Sequence, residues 1–429
     1  MSENLEKKRV VITILGMAGG NDSAKKASYY LENMELNTHF EYFNTFPFLC
    51  DTFGYNYDIV AVFTQSAKQN NHKVIEKTDF RKENSRQIAL NSLQNGYEID
   101  DTDYDKIFQK INEILNDEKY GEFIIDITHG FRHLPILTMV AMMIANFKNT
   151  QKIKHIFFAK EKEKNEIYEI VDLKEYLDIA NISFILSEFG DNYTVSNHIK
   201  SPKFEDLLKA LNDFSNDMMA LNVGKLQISR NNLIEYLEEV DDEAIKQQAI
   251  NLKIKIENLA DFNAKRSEIL YKLAKDMFDK NYLLLSLAAL FESTRSYIVE
   301  FMYKNNNEIM QKIEDLYKNK SDRKNYLIDK FCKNTLKFFP KNKNNVYAEF
   351  LDRTSEKHEK LELTNKEIDR ILSSLKKLEN RNKIVSLYEK IETKRNDLAH
   401  ANSSGKTFEN IKNDIKTIFD KYESLITHN

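Results

Sequence analysis

Cysteine is nearly missing from this 429-residue chain. Cys50 and Cys332 stand far apart, which excludes a disulfide framework and a cysteine-built zinc module and fits a reducing compartment. Long hydrophobic runs are missing too. The longest, Leu134 to Ala145 and Tyr282 to Phe291, fall short of the ~20 residues that span a bilayer, and the N-terminal MSENLEKKR has no signal-peptide core. A cytoplasmic chain with no membrane partner is expected. Nor is there an excess of positive charge: the net charge is −4, so any nucleic-acid contact must come from a local basic surface. What is present, 41% hydrophobic and 30% charged residues, is the profile of a soluble globular protein, and the length predicts two or three domains.

Glycine and proline are scarce and unevenly spread. Gly16, Gly19, Gly20, Gly54, Gly96, Gly121 and Gly130 fall early, and only Gly405 follows Gly224; Pro47, Pro135 and Pro202 are early, and Pro340 alone is later. The second half lacks the breakers a multi-stranded fold needs and is expected to be helical. The first half has short β-rich runs at Val10–Leu15, Asp58–Thr64, Glu122–Thr128 and Ile153–Ala159, separated by segments of helical spacing. This predicts an α/β domain with a buried parallel sheet, whose ligands would meet the loops after Leu15, Thr64 and Thr128. Helical periodicity is expected over 207–237, 249–278, 282–302, 326–338, 368–398 and 408–426. The acidic run from Glu235 to Glu243 reads as a solvated helix junction.

Three loops carry candidate binding residues. Gly16, Met17, Gly19, Gly20 and Asn21 belong to GMAGGNDS, which allows close backbone approach and free N–H groups ahead of a helix. It has neither P-loop nor G-x-G-x-x-G spacing, and a plain tight turn fits it as well. Thr64, Gln65 and Ser66 end the second strand, where they read equally as a helix N-cap. The segment IIDITHGFRHLP crowds Asp126, Thr128, His129, Gly130 and Arg132 into one strand-to-helix turn. Thr128 can donate to a phosphate or base, and Arg132 can pair with a phosphate or stack. His129 and His133 lie four apart, but Gly130 stands where a zinc helix needs Glu, so no metal is expected.

Near the end, KRNDLAHANSSG brings Arg395, Asn396 and His400 onto a helix that closes before Gly405. This is also an ordinary cationic helix C-terminus. On a continuous helix, five steps turn by ~140°, so Arg395 and His400 share a face only if the helix ends or bends between them. Arginine, histidine and no metal suit transesterification of RNA by its own 2′-hydroxyl: the imidazole moves protons and the guanidinium stabilises charge on phosphorus. Two copies across a two-fold axis would supply both base and acid. Residues 301–345, with 11 Lys/Arg against 5 Asp/Glu, interleave Tyr303, Tyr317, Tyr326, Phe331, Phe338 and Phe339. They read either as an RNA-facing surface or as a solvated face with its aromatics in the core.

DITHGFRHLP resembles the strand–loop signature of CARF domains, and KRNDLAHA resembles the R-x4-H motif of HEPN domains. Together they resemble CRISPR-associated CARF and HEPN ribonucleases of type III systems. The resemblance implies a Rossmann-like CARF sensor over 1–200, a helical linker or insertion over 201–280 and an all-α HEPN ribonuclease over 281–429. It further implies a cyclic oligoadenylate activator, with cyclic tetra-adenylate favoured over cyclic hexa-adenylate. The protein would be a homodimer or higher oligomer that cleaves single-stranded RNA without metal or cofactor, in functional link with a type III effector complex. Gly16 to Ser23, Thr64 to Ser66 and Thr128 to Arg132 would border the activator; Arg395, Asn396 and His400 would form the composite nuclease site. The alternatives are a sensor that binds without cutting RNA and one that also degrades its activator.

Overall fold

The computed structural model describes residues 7–17, 25–32, 41–100, 102–129, 133–148, 152–196, 199–319, 323–341, 345–355, 361–402 and 405–427. They divide into two compact units: Met1–Phe189 with Thr194–Lys209 and Val240–Ala249, and Gly190–Tyr193 with Ala210–Glu239 and Ile250–Asn429.

The first unit is α/β. Its strands are β1 (Lys8–Ile14), β2 (Ala27–Leu31), β3 (Glu41–Tyr42), β4 (Asp58–Phe63), β5 (Tyr97–Glu98), β6 (Tyr120–Asp126), β7 (Ile153–Glu163) and β8 (Ile167–Asp172). Its helices are α1 (Thr45–Phe53), α2 (Gln65–Lys77), α3 (Ser85–Asn95), α4 (Tyr104–Asn116), α5 (His133–Lys148) and α6 (Lys174–Asn192). The sheet order is β3-β2-β8-β7-β6-β1-β4-β5. The four apolar runs form β1, β4, β6 and β7, which pair in parallel. Side chains alternate across the sheet, so each face has its own core. Val11, Ala61, Phe63 and Ile124 meet Phe46, Leu49, Ile75 and Leu93 of α1 to α3. Val10, Ile12, Phe123 and Ile125 meet Ile107, Ile111, Leu134 and Met142 of α4 and α5. Covering on both faces is why these strands read as near-continuous hydrophobic runs.

One expectation needs correction. The sheet is mixed: β7–β8 and β2–β3 are antiparallel, and the β7–β8 hairpin turns at Asn165, which takes φ 58°. Residues 18–24 of the glycine-rich loop lie outside the described residues; the chain is next described at Lys25, and β2 follows at Ala27.

The second unit is helical. The C-terminal part of α7 (Glu205–Met219) and α8 (Val223–Glu238) are followed by α9 (Lys246–Glu257), α10 (Arg266–Asp279), α11 (Leu283–Leu316), α12 (Lys324–Leu336), α13 (Val346–Thr354), α14 (Asn365–Lys377), α15 (Arg381–Ala399) and α16 (Phe408–Tyr422). The periodic stretches 207–237 and 368–398 each prove to be two helices. The breaks fall at Leu221 (φ 50°) and Asn380 (φ 58°), left-handed turns with no glycine to announce them. α11 is the spine of this unit's core, with Leu287, Leu290, Phe291, Ile298, Met302 and Met310 buried along it. It is interrupted at Asn306, whose φ of −140° and ψ of 40° leave the helical region.

Candidate functional site

The carboxyl edge of the sheet is the first candidate. Ile14 of β1 aligns with Val62 of β4, and Thr13 of β1 with Asp126 of β6, so the chain leaves all three strands at one level. The strand order reverses between β1 and β6, and doubly wound sheets take ligands at such a reversal.

Asp126 organises this edge. It is not a turn residue but the last residue of β6, and it is fully buried. Its Oδ2 accepts the hydroxyls of Thr13 and Thr45, each at 2.8 Å; its Oδ1 accepts the Thr128 N–H at 3.0 Å and hydroxyl at 2.6 Å. A carboxylate held in a core needs such a set of donors. The Thr128 proton is thereby engaged, and its oxygen accepts the Ala159 N–H at 2.9 Å. His129 Nε2 accepts the Thr45 N–H at 3.3 Å, joining the turn to the start of α1. Burial holds the His129 pKa below the ordinary imidazole value, against the opposing pull of Asp126; a ring nitrogen that accepts a hydrogen bond requires that neutral form.

Other predicted residues sit around this hub. Asn44 caps α1 by accepting the Phe46 N–H at 3.2 Å and donates to Asn71 Oδ1 at 2.8 Å. Asn71 donates in turn to the Gly16 carbonyl at 2.9 Å, which fixes the end of β1; Met17 beyond it is exposed. Thr64 caps α2 by accepting the Ala67 N–H at 3.3 Å and lies 3.1 Å from the Ser66 hydroxyl; Gln65 and Ser66 are exposed. Gly19, Gly20, Asn21, Gly130 and Arg132 lie outside the described residues. His133 packs edge-on against Tyr104 at 4.8 Å, so it and His129 serve different neighbours. Among the described residues no group of His, Cys, Asp and Glu is gathered as a metal would require.

Thr13, Asn44, Thr45 and Asn71 escaped the sequence reading. The run Asn44-Thr45-Phe46-Pro47 carries a usable signal, a capping residue with proline in the first turn. Thr13 and Asn71 carry none.

The second candidate is the end of α15. The Arg395 guanidinium lies over the Phe291 ring, 4.2 Å from its centroid, and donates to Asn396 Oδ1 from Nε at 3.3 Å and Nη2 at 2.9 Å. One face is thus held by an aromatic ring and one edge by the next residue, which limits the side chain's freedom. His400 is exposed and is the C-cap, with φ −92° and ψ 33°. His400 still donates its N–H to the Asn396 carbonyl at 2.9 Å, so it stands five helical steps from Arg395 and the chain leaves the helix only beyond it.

The aromatics of the stretch 301–345 divide between core and surface, with Tyr326 and Phe339 50% and 43% exposed. Tyr317, Phe331 and Phe338 are core residues, each 1% exposed. Lys324, Lys333 and Lys337 are paired with Glu314, Glu392 and Glu389. Tyr317, Phe331 and Phe338 have gone to the interior, where their large apolar area stabilises most.

A family model described as "CRISPR system endoribonuclease Csx1, CARF domain" matches residues 10–168, the segment that holds β1 to β7 and the start of β8. A solved structure, "Enterococcus italicus Csm6 bound to cyclic hexa-2'-fluoro-hexa-dAMP", is similar at 12% identity over 99% of this chain and 95% of that chain, with a TM-score of 0.36. No curated protein sequence matches the chain. Residues 10–168 are therefore a CARF domain, the family named by the resemblance of DITHGFRHLP, and an all-helical part follows in the expected order.

Proposed function

We propose that the chain is an activator-gated endoribonuclease of type III CRISPR defence. Its CARF domain senses a cyclic oligoadenylate at the carboxyl edge of the sheet, and its helical part cleaves single-stranded RNA. The observation that carries the nuclease reading is an Arg395 guanidinium held by Phe291 and Asn396 on the last turn of α15, with an exposed His400 capping that same turn. In this reading His400 takes the proton from a ribose 2′-hydroxyl or returns one to the leaving 5′-oxygen. Arg395, steadied by Phe291 and Asn396, stabilises the charge gathering on phosphorus.

One copy offers a single His400, and the reaction needs both a base and an acid, so two copies complete the site. The apolar stripe on α5 supports a second copy: Ile136, Val140, Met143 and Ile144 recur at i, i+4, i+7 and i+8 and are 64%, 43%, 37% and 43% exposed. An activator with repeated adenylates can touch the same loops twice across such an axis.

The test is end-labelled single-stranded RNA incubated with the protein, cyclic tetra- or hexa-adenylate and EDTA. Activator-dependent products with 2′,3′-cyclic phosphate and 5′-hydroxyl ends are expected, and His400→Ala and Arg395→Ala should abolish them. Cleavage that survives in His400→Ala, or that needs a divalent metal, refutes the site. Chromatography of the activator addresses its degradation in the same reaction.

A further inference from the structure

The chain beyond His400 is fastened by a residue that the proposed chemistry does not use. The Ala401 N–H donates to the Leu398 carbonyl at 3.1 Å, and the Asn402 N–H to the Asp397 carbonyl at 3.0 Å. This is a Schellman closure, with alanine where glycine is usual. Ala401 (φ 60°) and Asn402 (φ 52°) both take left-handed conformations that non-glycine residues avoid. Such a turn persists only if its surroundings over-determine it.

The surroundings do so. The Asn402 Nδ2 donates to the Lys406 carbonyl at 2.8 Å, and the Gly405 N–H to the Asn402 carbonyl at 2.9 Å. The Lys406 ammonium then donates to Asp414 Oδ2, on α16, at 2.7 Å. That same oxygen accepts the Lys394 ammonium at 2.8 Å. Lys394 is the residue before Arg395, and its side chain is only 13% exposed, so it depends on this anion. One carboxylate oxygen therefore ties together the chain six residues before His400 and six residues after it. The two ammonium groups hold the Asp414 carboxyl well below the usual carboxylate range, at about 2.

We propose that Asp414 is the positioning residue of the Arg395–His400 site, fixing the turn that aims His400 relative to Arg395 through Lys394 and Lys406. Without its charge, two ammonium groups would face each other and the turn would lose its far anchor. The inference rests on the ribonuclease reading.

Its test is Asp414→Asn in the full-length chain, assayed for activator-stimulated cleavage, RNA KM, activator affinity and thermal midpoint. The expected result is a fall in kcat of about tenfold to a hundredfold, as for misplaced catalytic groups. The RNA KM should stay within about twofold and activator binding should be unchanged. Asp414→Glu, which keeps the charge, should recover most of the rate. Lys406→Ala, an exposed substitution, should lower kcat by less and add nothing further to Asp414→Asn, because one carboxylate serves both contacts. If Asp414→Asn does not fold, the loss of kcat in Lys406→Ala alone supports the inference and a wild-type kcat there overturns it. A wild-type kcat in Asp414→Asn, or a rate loss that merely tracks the unfolded fraction, also overturns it. Failure of the wild-type chain to cleave RNA at all instead refutes the proposed function, a result distinct from wild-type cleavage that the Asp414 variants share.

Discussion

Replacing Ala401 by glycine should make the helical part more stable and the proposed nuclease slower. Ala401 sits at φ 60° in the position where helices most often place glycine. A Cβ in that conformation costs roughly 1–2 kcal/mol, while glycine returns about 0.5–1 kcal/mol through its freer unfolded chain. The net gain is about 0.5–1 kcal/mol, which for a unit of roughly 200 residues raises the thermal midpoint by about 1–4 °C. Ala401→Val should move the other way, because a β-branched side chain tolerates the left-handed region still less. The rate should not follow stability. Glycine widens the backbone freedom beside His400, so the activator-stimulated kcat should drop by about threefold to tenfold even as the melting point rises. Scanning calorimetry and initial cleavage rates on the same preparations decide the matter. A midpoint below wild type for Ala401→Gly would refute the strained turn; a faster enzyme would refute the idea that its rigidity serves His400.

Asp126→Ala should leave the Thr13 and Thr45 hydroxyls and the Thr128 turn without their acceptor, at a cost of about 3 kcal/mol or more, read by urea denaturation. His129 gives a pH signature. Its pKa is held low by burial, so the unfolded chain protonates first on acidification. Stability should be flat above pH ~6.5 and fall as the pH drops below it, by at most ~1.4 kcal/mol per pH unit from this group. His129→Asn, which keeps an acceptor for Thr45, should flatten the profile of melting midpoint against pH. Phe291→Leu should destabilise by less than about 1.5 kcal/mol yet lower kcat by about tenfold, because it keeps apolar volume while removing the ring under Arg395. A rate unchanged in that variant would detach the ring from catalysis.

The parts of the molecule that were legible in sequence are those whose causes are local. β1, β4, β6 and β7 are apolar runs long enough to announce themselves, and the close of α15 ahead of Gly405 was readable from its last turn. β2, the two-residue β3 and β8 were not, because they are short or half-exposed and mix polar with aromatic residues. The role of Asp126 was misread for a different reason. Its partners Thr13 and Thr45 lie 113 and 81 residues away, and no local pattern records such contacts. The helical part concealed its turns by placing Leu221, Asn281, Asn380 and Ala401 where glycine would have marked them. Asp414 was silent in the same way, since its meaning depends on two lysines brought to it by folding.

The hub at Asp126 also limits how the sheet can respond to a visitor. One buried side chain grips β1 through Thr13, the head of α1 through Thr45 and the β6 turn through Thr128. Displacing one of them takes a donor from a buried carboxylate that the others still hold, whereas displacing all of them together keeps every bond intact. A molecule pressing on this rim meets one stiff collar in place of three soft fingers.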